Sequence, residues 1–311
     1  MAMIFSLSTS WHYQSAGDGA RIVAKTRDIG FENLEINFQV KETYFKEIAI
    51  NARQGHINIT SLHNICPLTP EMEKAGNYIE FFDLASNNNE IRKEAIRLSE
   101  RTLQNAADLN ASAVVFHLGD VSDGTLRLEE KAFRKPLKAE LGPPESYRAY
   151  FDKLLMRRDA GKDIHLDNAR RSLDYLVPVA EKLGVCIGME NRYYVSQIPN
   201  CDEFGILLSE YNTEYLGLWY DTGHAANISN LGYWDSLEYL RKYKDRVVGI
   251  HIHDCIGIRD HLPPGDGDID FLAIKGFLPK DTLCVLEMRP QVAEEDLRRG
   301  VRHLRALGFL D

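Results

Sequence analysis

Seven polar residues end or directly follow short apolar runs along this chain, and this recurrence is the feature that most restricts its fold. The residues are Glu35, His63, His117, Glu190, Asp221, His251 and Glu287. Short, nearly continuous apolar runs are typical of strands buried on both faces of a parallel sheet. Polar residues at the carboxyl ends of such strands would gather at one face, as they do in a (β/α)₈ barrel. The pattern therefore predicts an α/β fold of the TIM-barrel class.

Eight apolar runs can be assigned to the strands of this barrel. They cover residues 4–9, 33–38, 58–63, 113–117, 185–190, 216–221, 247–253 and 283–287. Segments with apolar residues at helical spacing lie between them, most clearly 90–110, 167–183 and 234–243. Asparagines before Glu90 are able to cap the first of these helices. Strands that alternate with helices indicate repeated βα units.

One interval is too long for a single βα unit. Glu190, Asp221 and His251 follow one another at intervals of roughly 30 residues, but His117 and Glu190 are more than twice as far apart. The excess is about residues 120–165, in which 146–158 has an apolar helical face. We expect one domain over residues 1–311 with an insertion after the fourth strand. An insertion there lies on the active-site side, so it is predicted to be a substrate lid or a packing interface, for example with a second subunit.

Composition restricts the class of protein further. The 311 residues carry a net charge of −9, with 44% hydrophobic and 27% charged residues, which is ordinary for a globular protein. This charge does not favour nucleic acid as a partner. The start of the chain lacks a signal-peptide pattern and no apolar stretch has the length of a membrane span, so we expect a cytoplasmic protein without membrane contact. The five cysteines show no CxxC spacing, as expected for reduced thiols.

Glu190 and Glu287 are the strongest candidates for catalysis. Each ends an apolar strand, so its carboxylate would be directed into the mouth of the barrel. A buried carboxylate without a partner costs free energy, which either a metal ion or a nearby arginine would offset. Arg192 and Arg289 each follow two residues later in the chain. The alternative is that both carboxylates form structural salt bridges only.

Asp221 and several histidines add groups that bind metals or move protons. In the turn that begins at Asp221, a glycine permits a sharp reversal that would bring Asp221 and His224 to one centre. His251 and His253 lie on one face of a strand. The alternatives are a helix-capping aspartate and histidines that are satisfied within the core. Candidates for further metal ligands or substrate contacts are His63, His117, His224, His253, His261 and Arg192.

The ordered series of these motifs resembles the xylose-isomerase-like TIM-barrel superfamily, which includes sugar phosphate isomerases and epimerases and the family 2 apurinic-site endonucleases. The motifs are SLH at 61–63, VFH at 115–117, MEN at 189–191, YDTGH at 220–224, IHIHD at 250–254, His261 with GDG at 265–267, and LE at 286–287. They extend over nearly the whole chain. The resemblance to the epimerase-like members implies one divalent metal ion at Glu190, Asp221, His251 and Glu287. It also implies that the two glutamates exchange a substrate proton.

The resemblance to the endonuclease-like members implies a larger set of ligands for three zinc ions. The matching positions are His63, His117, Glu190, Asp221, His224, His251, His261 and Glu287. One position departs from that pattern. The aspartate two residues before the last histidine is Arg259 here, and Asp260 is displaced by one. This departure weakens the case for a third ion and for a DNA-repair activity.

The sequence thus favours a sugar or polyol isomerase or epimerase that depends on a divalent metal and works by proton transfer through an enediolate with two glutamates. The ion would be Mn, Mg, Co or Zn, and the histidines leave room for a second or third ion. The partner would be a small sugar or polyol, and a homo-oligomer is compatible with the sequence. Two alternatives stay open: a zinc-dependent phosphodiesterase of the apurinic-endonuclease type, and a non-catalytic sugar-binding barrel.

Overall fold

The computed structural model of the chain describes residues 3–75, 83–135, 137 and 145–310. In chain order its strands are β1 (Ile4–Ser8), β2 (Asn33–Ile36), β3 (Asn58–His63), β4 (Ala113–Phe116), β5 (Gly119–Asp120), β6 (Cys186–Glu190), β7 (Gln197–Ile198), β8 (Leu216–Asp221), β9 (Val247–Ile252), β10 (Asp254–Ile256), β11 (Arg259–Leu262) and β12 (Leu283–Leu286). Eight of them close a parallel barrel in the order β1-β12-β9-β8-β6-β4-β3-β2. The predicted TIM barrel is therefore confirmed. The others form two short antiparallel ribbons, β5–β7 and β10–β11.

The helices of the described residues pack around the barrel. They are α1 (Gly19–Ile29), α2 (Glu42–Arg53), α3 (Pro70–Ala75), α4 (Asn89–Asp108), α5 (Thr125–Arg134), α6 (Glu145–Leu183), α7 (Cys201–Glu210), α8 (Thr222–Asn230), α9 (Glu238–Tyr243), α10 (Phe271–Lys275) and α11 (Glu294–Ala306). Asn88 caps α4, because its side chain accepts hydrogen bonds from the amides of Glu90 and Ile91, as predicted. The helix α9 is shorter than the predicted 234–243, since the Asp235 carboxylate accepts the Leu237 amide in a turn before it. Among the described residues, no helix has the length and apolar character needed to span a membrane.

The segment predicted as an insertion contains α5 and the first part of α6. The two helical segments predicted at 146–158 and 167–183 are one continuous helix of 39 residues. Residues 136 and 138–144 of the predicted insertion lie outside the described part of the chain. The side chain of Arg158, in the first half of this helix, is fully buried and donates to both carboxylate oxygens of Glu203 on α7. The first half of α6 is thus fastened to the barrel, and its role as a lid or interface stays a prediction.

Trp219 fills the barrel interior beneath the residues that end the strands. Its side chain is fully buried, and its ring lies 5.2 Å from that of His251. Gly188 on β6 and Gly249 on β9 leave space for the indole, because a Cβ at either position would overlap it. Because the Trp219 side chain fills the barrel interior, the residues at the strand ends are accessible only from the carboxyl face of the barrel.

Candidate metal centre and substrate cavity

Three carboxylates from three strands surround one nitrogen of His251. The Nδ1 atom of His251 lies 2.8 Å from Oε1 of Glu190, 3.4 Å from Oε2 of Glu287 and 3.7 Å from Oδ2 of Asp221. All four side chains are buried. The residues come together because β6, β8, β9 and β12 are neighbours in the barrel and end at the same level. The structure therefore places the four candidate metal ligands in one cluster.

Glu35 holds the other nitrogen of His251. Both Glu35 carboxylate oxygens lie 3.1 Å from Nε2 of His251, and the Ser61 hydroxyl donates to Oε2 of Glu35 at 2.9 Å. The Nε2–H therefore donates to Glu35, and Nδ1 is the nitrogen that faces the other carboxylates. Glu35 stands among the seven strand-end residues of the sequence pattern, but its contact with His251 was not predicted.

Burial and charge affect the acids and the imidazole of this cluster differently. Burial raises the pKa of Glu287 to about 8, and the neighbouring carboxylates add to the rise. Burial acts in the same direction on Glu190, but Arg192 and His117 outweigh it and hold the pKa of Glu190 well below its usual range. Burial disfavours the charge of His251, yet the surrounding carboxylates hold its pKa well above the usual value.

The cluster has the charge and the donor atoms that suit a divalent cation. Four buried carboxylates, those of Glu35, Glu190, Asp221 and Glu287, surround one imidazole. With all four ionised, the imidazolium of His251 and the Arg192 guanidinium would balance only part of the negative charge at a depth where uncompensated charge is costly, which is why the pKa of Glu287 is raised. Imidazole nitrogen and carboxylate oxygen are ligands for zinc, manganese and related ions. The residues present therefore fit a divalent metal ion.

Further groups of candidate ligands lie around this cluster, and two of them flank it. In the first, possible ligand atoms of His63, His117 and Glu190 lie within 4.8 Å of one another. The second brings His224, Asp260 and His261 within the same distance. Asp260, which the sequence pattern placed one residue away from the expected ligand position, is thus buried at this second group, whereas Arg259 is exposed.

His253 lies behind Asp221. Its Nδ1 accepts the backbone amide of His261 at 2.9 Å, so its Nε2–H donates to the Asp221 carboxylate at 3.0 Å. Both ring nitrogens are therefore engaged in the structure, and the ring orients Asp221. Asn191, which follows Glu190, also supports Asp221 by accepting its backbone amide at 2.7 Å.

In each flanking group, an arginine forms an ion pair with a carboxylate oxygen. Arg192 contacts Oε2 of Glu190, the same oxygen that Nε2 of His117 approaches to 2.9 Å. Arg289 contacts Asp260 in the second group. The predicted proximity of Arg192 to Glu190 is present, whereas Arg289 pairs with Asp260 and not with Glu287.

A cavity of about 480 Å³ opens above these residues. His117, Arg192 and His224 line its inner end, and each of them also contacts Glu190. Its walls come from the loops after several barrel strands and include Tyr193 and Tyr194. A cavity of this size, with polar and charged side chains in its lining, has room for a small-molecule ligand.

The family of the chain follows from its sequence as well as from this geometry. Residues 23–307 match the profile of the xylose isomerase-like TIM barrels. The chain belongs to this family.

Individual relatives give the following comparison. The uncharacterised protein y4fM of Sinorhizobium fredii is 25% identical over 236 residues, which are 76% of this chain and 63% of that protein. The chain thus spans less than two thirds of this relative's length. Among solved structures, a D-tagatose 3-epimerase-like protein is 19% identical with a TM-score of 0.68, over 98% of this chain and 97% of that chain. The 3-keto-D-glucoside 4-epimerase YcjR from E. coli is 16% identical with a TM-score of 0.67, over 98% and 99%. At these identities the likeness to the solved structures concerns the fold.

Proposed function

We propose that this protein is a sugar or polyol isomerase or epimerase that depends on a divalent metal ion and moves a proton through an enediolate. The observation that carries this proposal is the single imidazole nitrogen of His251 faced by carboxylates of Glu190, Asp221 and Glu287. Those four side chains would hold the ion. When bound, the ion would act as a Lewis acid on substrate oxygens and acidify the neighbouring C–H group.

Glu190 and Glu287 would transfer the proton. Glu190 ends β6 and Glu287 directly follows β12, and β8 and β9 separate these two strands in the barrel, so the two carboxylates reach the site from different sides. Asn37 donates to Oε1 of Glu287 at 3.2 Å and fixes that carboxylate, while Arg192 fixes Glu190. One carboxylate would remove the proton and the other would return it. The solved structures with this fold include proteins described as sugar 3- and 4-epimerases, which supports the choice of substrate class.

Two measurements test the proposed function directly. Elemental analysis of the purified protein is expected to find one divalent ion per chain. In deuterated water, protein loaded with Mn²⁺ is expected to exchange a carbon-bound hydrogen of ketoses, measured by proton NMR. Absence of a bound ion, or absence of exchange with every ketose and inosose tried, would contradict the proposal.

The second candidate function is a phosphodiesterase with several zinc ions. The observation in its favour is that the two flanking groups, including Asp260 in place of the expected ligand, come close enough to bind cations. Two observations oppose it. Arg192 and Arg289 already contact Glu190 and Asp260, and a fixed guanidinium charge beside these oxygens repels further cations. One ion at His251 therefore remains the favoured arrangement.

We expect no efficient cleavage of abasic DNA by the zinc-loaded protein. The arginines oppose a multinuclear zinc cluster, and α5 with the first half of α6 follows β4 on the side where a duplex would have to dock. The measurement is strand cleavage of a duplex that contains one abasic site. Robust cleavage that disappears in both His117→Ala and His261→Ala would overturn this ranking and favour the phosphodiesterase.

Glu35→Gln is expected to weaken the binding of the divalent ion by about 10- to 100-fold. Partners that orient a metal-binding histidine contribute this much to affinity, and Glu35 fixes the ring of His251 through Nε2. The measurement is a titration with Mn²⁺ or Zn²⁺ against a competing chelator. Glu32→Gln is the matched control, since Glu32 lies just before the same strand with an exposed side chain. Equal dissociation constants for Glu35→Gln and the wild type would refute the orienting role.

A further inference from the structure

The cavity extends from the Glu190 side of the cluster to a polar wall that the proposed proton transfer does not use. The wall is formed by Asp83, Asp120, Arg127 and Gln197, which all line the cavity. Asp120 and Gln197 are paired residues of the β5–β7 ribbon, so they project from adjacent, fixed backbones. The ribbon joins the loop after β4 to the loop after β6, and the wall is therefore part of the folded frame.

The wall has donors and acceptors arranged within a small space. Arg127 Nε donates to Oδ2 of Asp120 at 2.9 Å, while Oδ1 of Asp120 has no hydrogen-bond partner among the described residues. Asp120 is only 4% exposed, and this burial raises the pKa of its carboxyl group. A Cβ at position 119 would overlap the Asp83 carboxylate. Because residue 119 is glycine, this carboxylate can pack directly against the backbone of β5. Burial, together with Asp120, raises the pKa of Asp83 to about 7.

Hydroxyl groups match this wall better than an anion does. A hydroxyl both donates and accepts, so it can bond a carboxylate, a guanidinium and an amide in turn. A phosphate is attracted less strongly to an arginine whose charge a neighbouring carboxylate already offsets. Each of the three arginines that line the described cavity already contacts a carboxylate. The pairs are Arg127 with Asp120, Arg192 with Glu190, and Arg289 with Asp260.

We infer that this wall is a second sugar subsite and that the substrate is a neutral glycoside, whose reacting sugar lies at the His251 cluster and whose second hydroxylated group lies against Asp83, Asp120, Arg127 and Gln197. The inference rests on the proposed function for the position of the reacting sugar. It excludes a phosphorylated sugar as the preferred substrate. The cavity of about 480 Å³ gives more room than one hexose ring requires.

Three ketoses that share a fructose unit test the subsite. They are D-fructose, isomaltulose, which carries a neutral glucosyl group on the fructose O6, and D-fructose 6-phosphate, which carries an anion at the same position. Dissociation constants are measured by calorimetry with the Mn²⁺-loaded full-length protein. We expect isomaltulose to bind about 10-fold more tightly than D-fructose, since each added hydrogen bond contributes modestly. We expect D-fructose 6-phosphate to bind no more tightly than D-fructose.

Substitutions in the wall test whether its residues cause the tighter binding of isomaltulose. Gln197→Ala is expected to remove most of the advantage of isomaltulose over D-fructose. Gln104→Ala, on the exposed face of α4, is the matched control and is expected to keep that advantage. Asp83→Asn provides a second variant of the wall should Gln197→Ala disturb the ribbon.

Separate outcomes decide the subsite and the proposed function. Tighter binding of D-fructose 6-phosphate than of isomaltulose would overturn the neutral glycoside, as would equal binding of isomaltulose and D-fructose. An isomaltulose preference that survives in both wall variants would also overturn the assignment. Hydrogen exchange with D-fructose in deuterated water is measured in parallel and tests the proton-transfer function alone, so its failure leaves the binding comparison to decide the subsite.

Discussion

Replacing Glu287 or Glu190 by glutamine is expected to lower the rate of substrate hydrogen exchange by at least about 100-fold while the barrel stays folded. General acid–base catalysis by a positioned side chain contributes about 10²- to 10⁴-fold, and an amide cannot perform it. Glutamine keeps the size of the side chain at the end of β6 or β12, so the packing beneath it changes little. The rate is measured by NMR at saturating metal and saturating ketose, which separates chemistry from weaker binding.

The control for these variants is Glu32→Gln, an exposed carboxylate. Thermal unfolding of each variant shows whether the barrel is intact, and metal analysis shows whether the ion is retained. A rate close to that of the wild type in either Glu190→Gln or Glu287→Gln would refute the mechanism with two glutamates. A rate loss that appears only below saturating metal, and is absent once each variant is saturated, would assign that glutamate to metal binding alone.

The barrel could be predicted from the sequence because its strands follow a local rule. Parallel strands that are buried on both faces consist mostly of consecutive apolar residues, which can be recognised in the sequence. The predicted bounds of β3 and β8 are those of the structure. At 247–253 the predicted strand is too long, since β9 ends at Ile252 and β10 begins at Asp254. His253, between these strands, bonds Asp221 and the His261 amide, contacts that no local pattern encodes.

The members of the site were easier to predict than their contacts. Polar residues at strand ends include all four residues of the cluster around His251, because carboxyl ends of parallel strands meet at one face. The same rule, applied to Asn37 and Asn191 after two of the strands, would have found two more supporting residues. The pairing of Arg289 with Asp260 depends on the paths of two loops, and sequence spacing gives no measure of such a path.

The continuity of α6 was missed for a related reason. Its predicted halves are separated by residues 159–166, where charged residues and Gly161 interrupt the apolar periodicity. In the structure, Gly161 lies against Val121, whose side chain is 3.4 Å from where a Cβ of residue 161 would stand. His165 is buried and bonds the Ser122 amide at 2.9 Å. Tertiary contacts therefore stabilise a helix that local pattern alone would break.

Arg158→Met is expected to lower the free energy of unfolding by about 3–5 kcal/mol, the usual consequence of removing one partner of a buried ion pair. Glu203, which is 2% exposed, would lose its buried counter-charge. Arg158 also donates to the carbonyl oxygens of Val195 and Gln197, at 2.7 and 3.0 Å, so the loop after β6 would lose two hydrogen bonds. The measurement is urea unfolding followed by circular dichroism, with the midpoint and slope compared with those of the wild type.

Arg157→Met is a matched control at the neighbouring position of α6. Arg157 pairs with Glu129, but both side chains are largely exposed, and such pairs contribute little to stability. We expect its unfolding midpoint to stay close to that of the wild type. Similar midpoints for Arg158→Met and Arg157→Met would show that the buried pair does not fasten α6 to the barrel. A large loss in Arg158→Met alone would mean that this helix supports the loop that carries Arg192, Tyr193, Tyr194 and Gln197, and with it one wall of the substrate cavity.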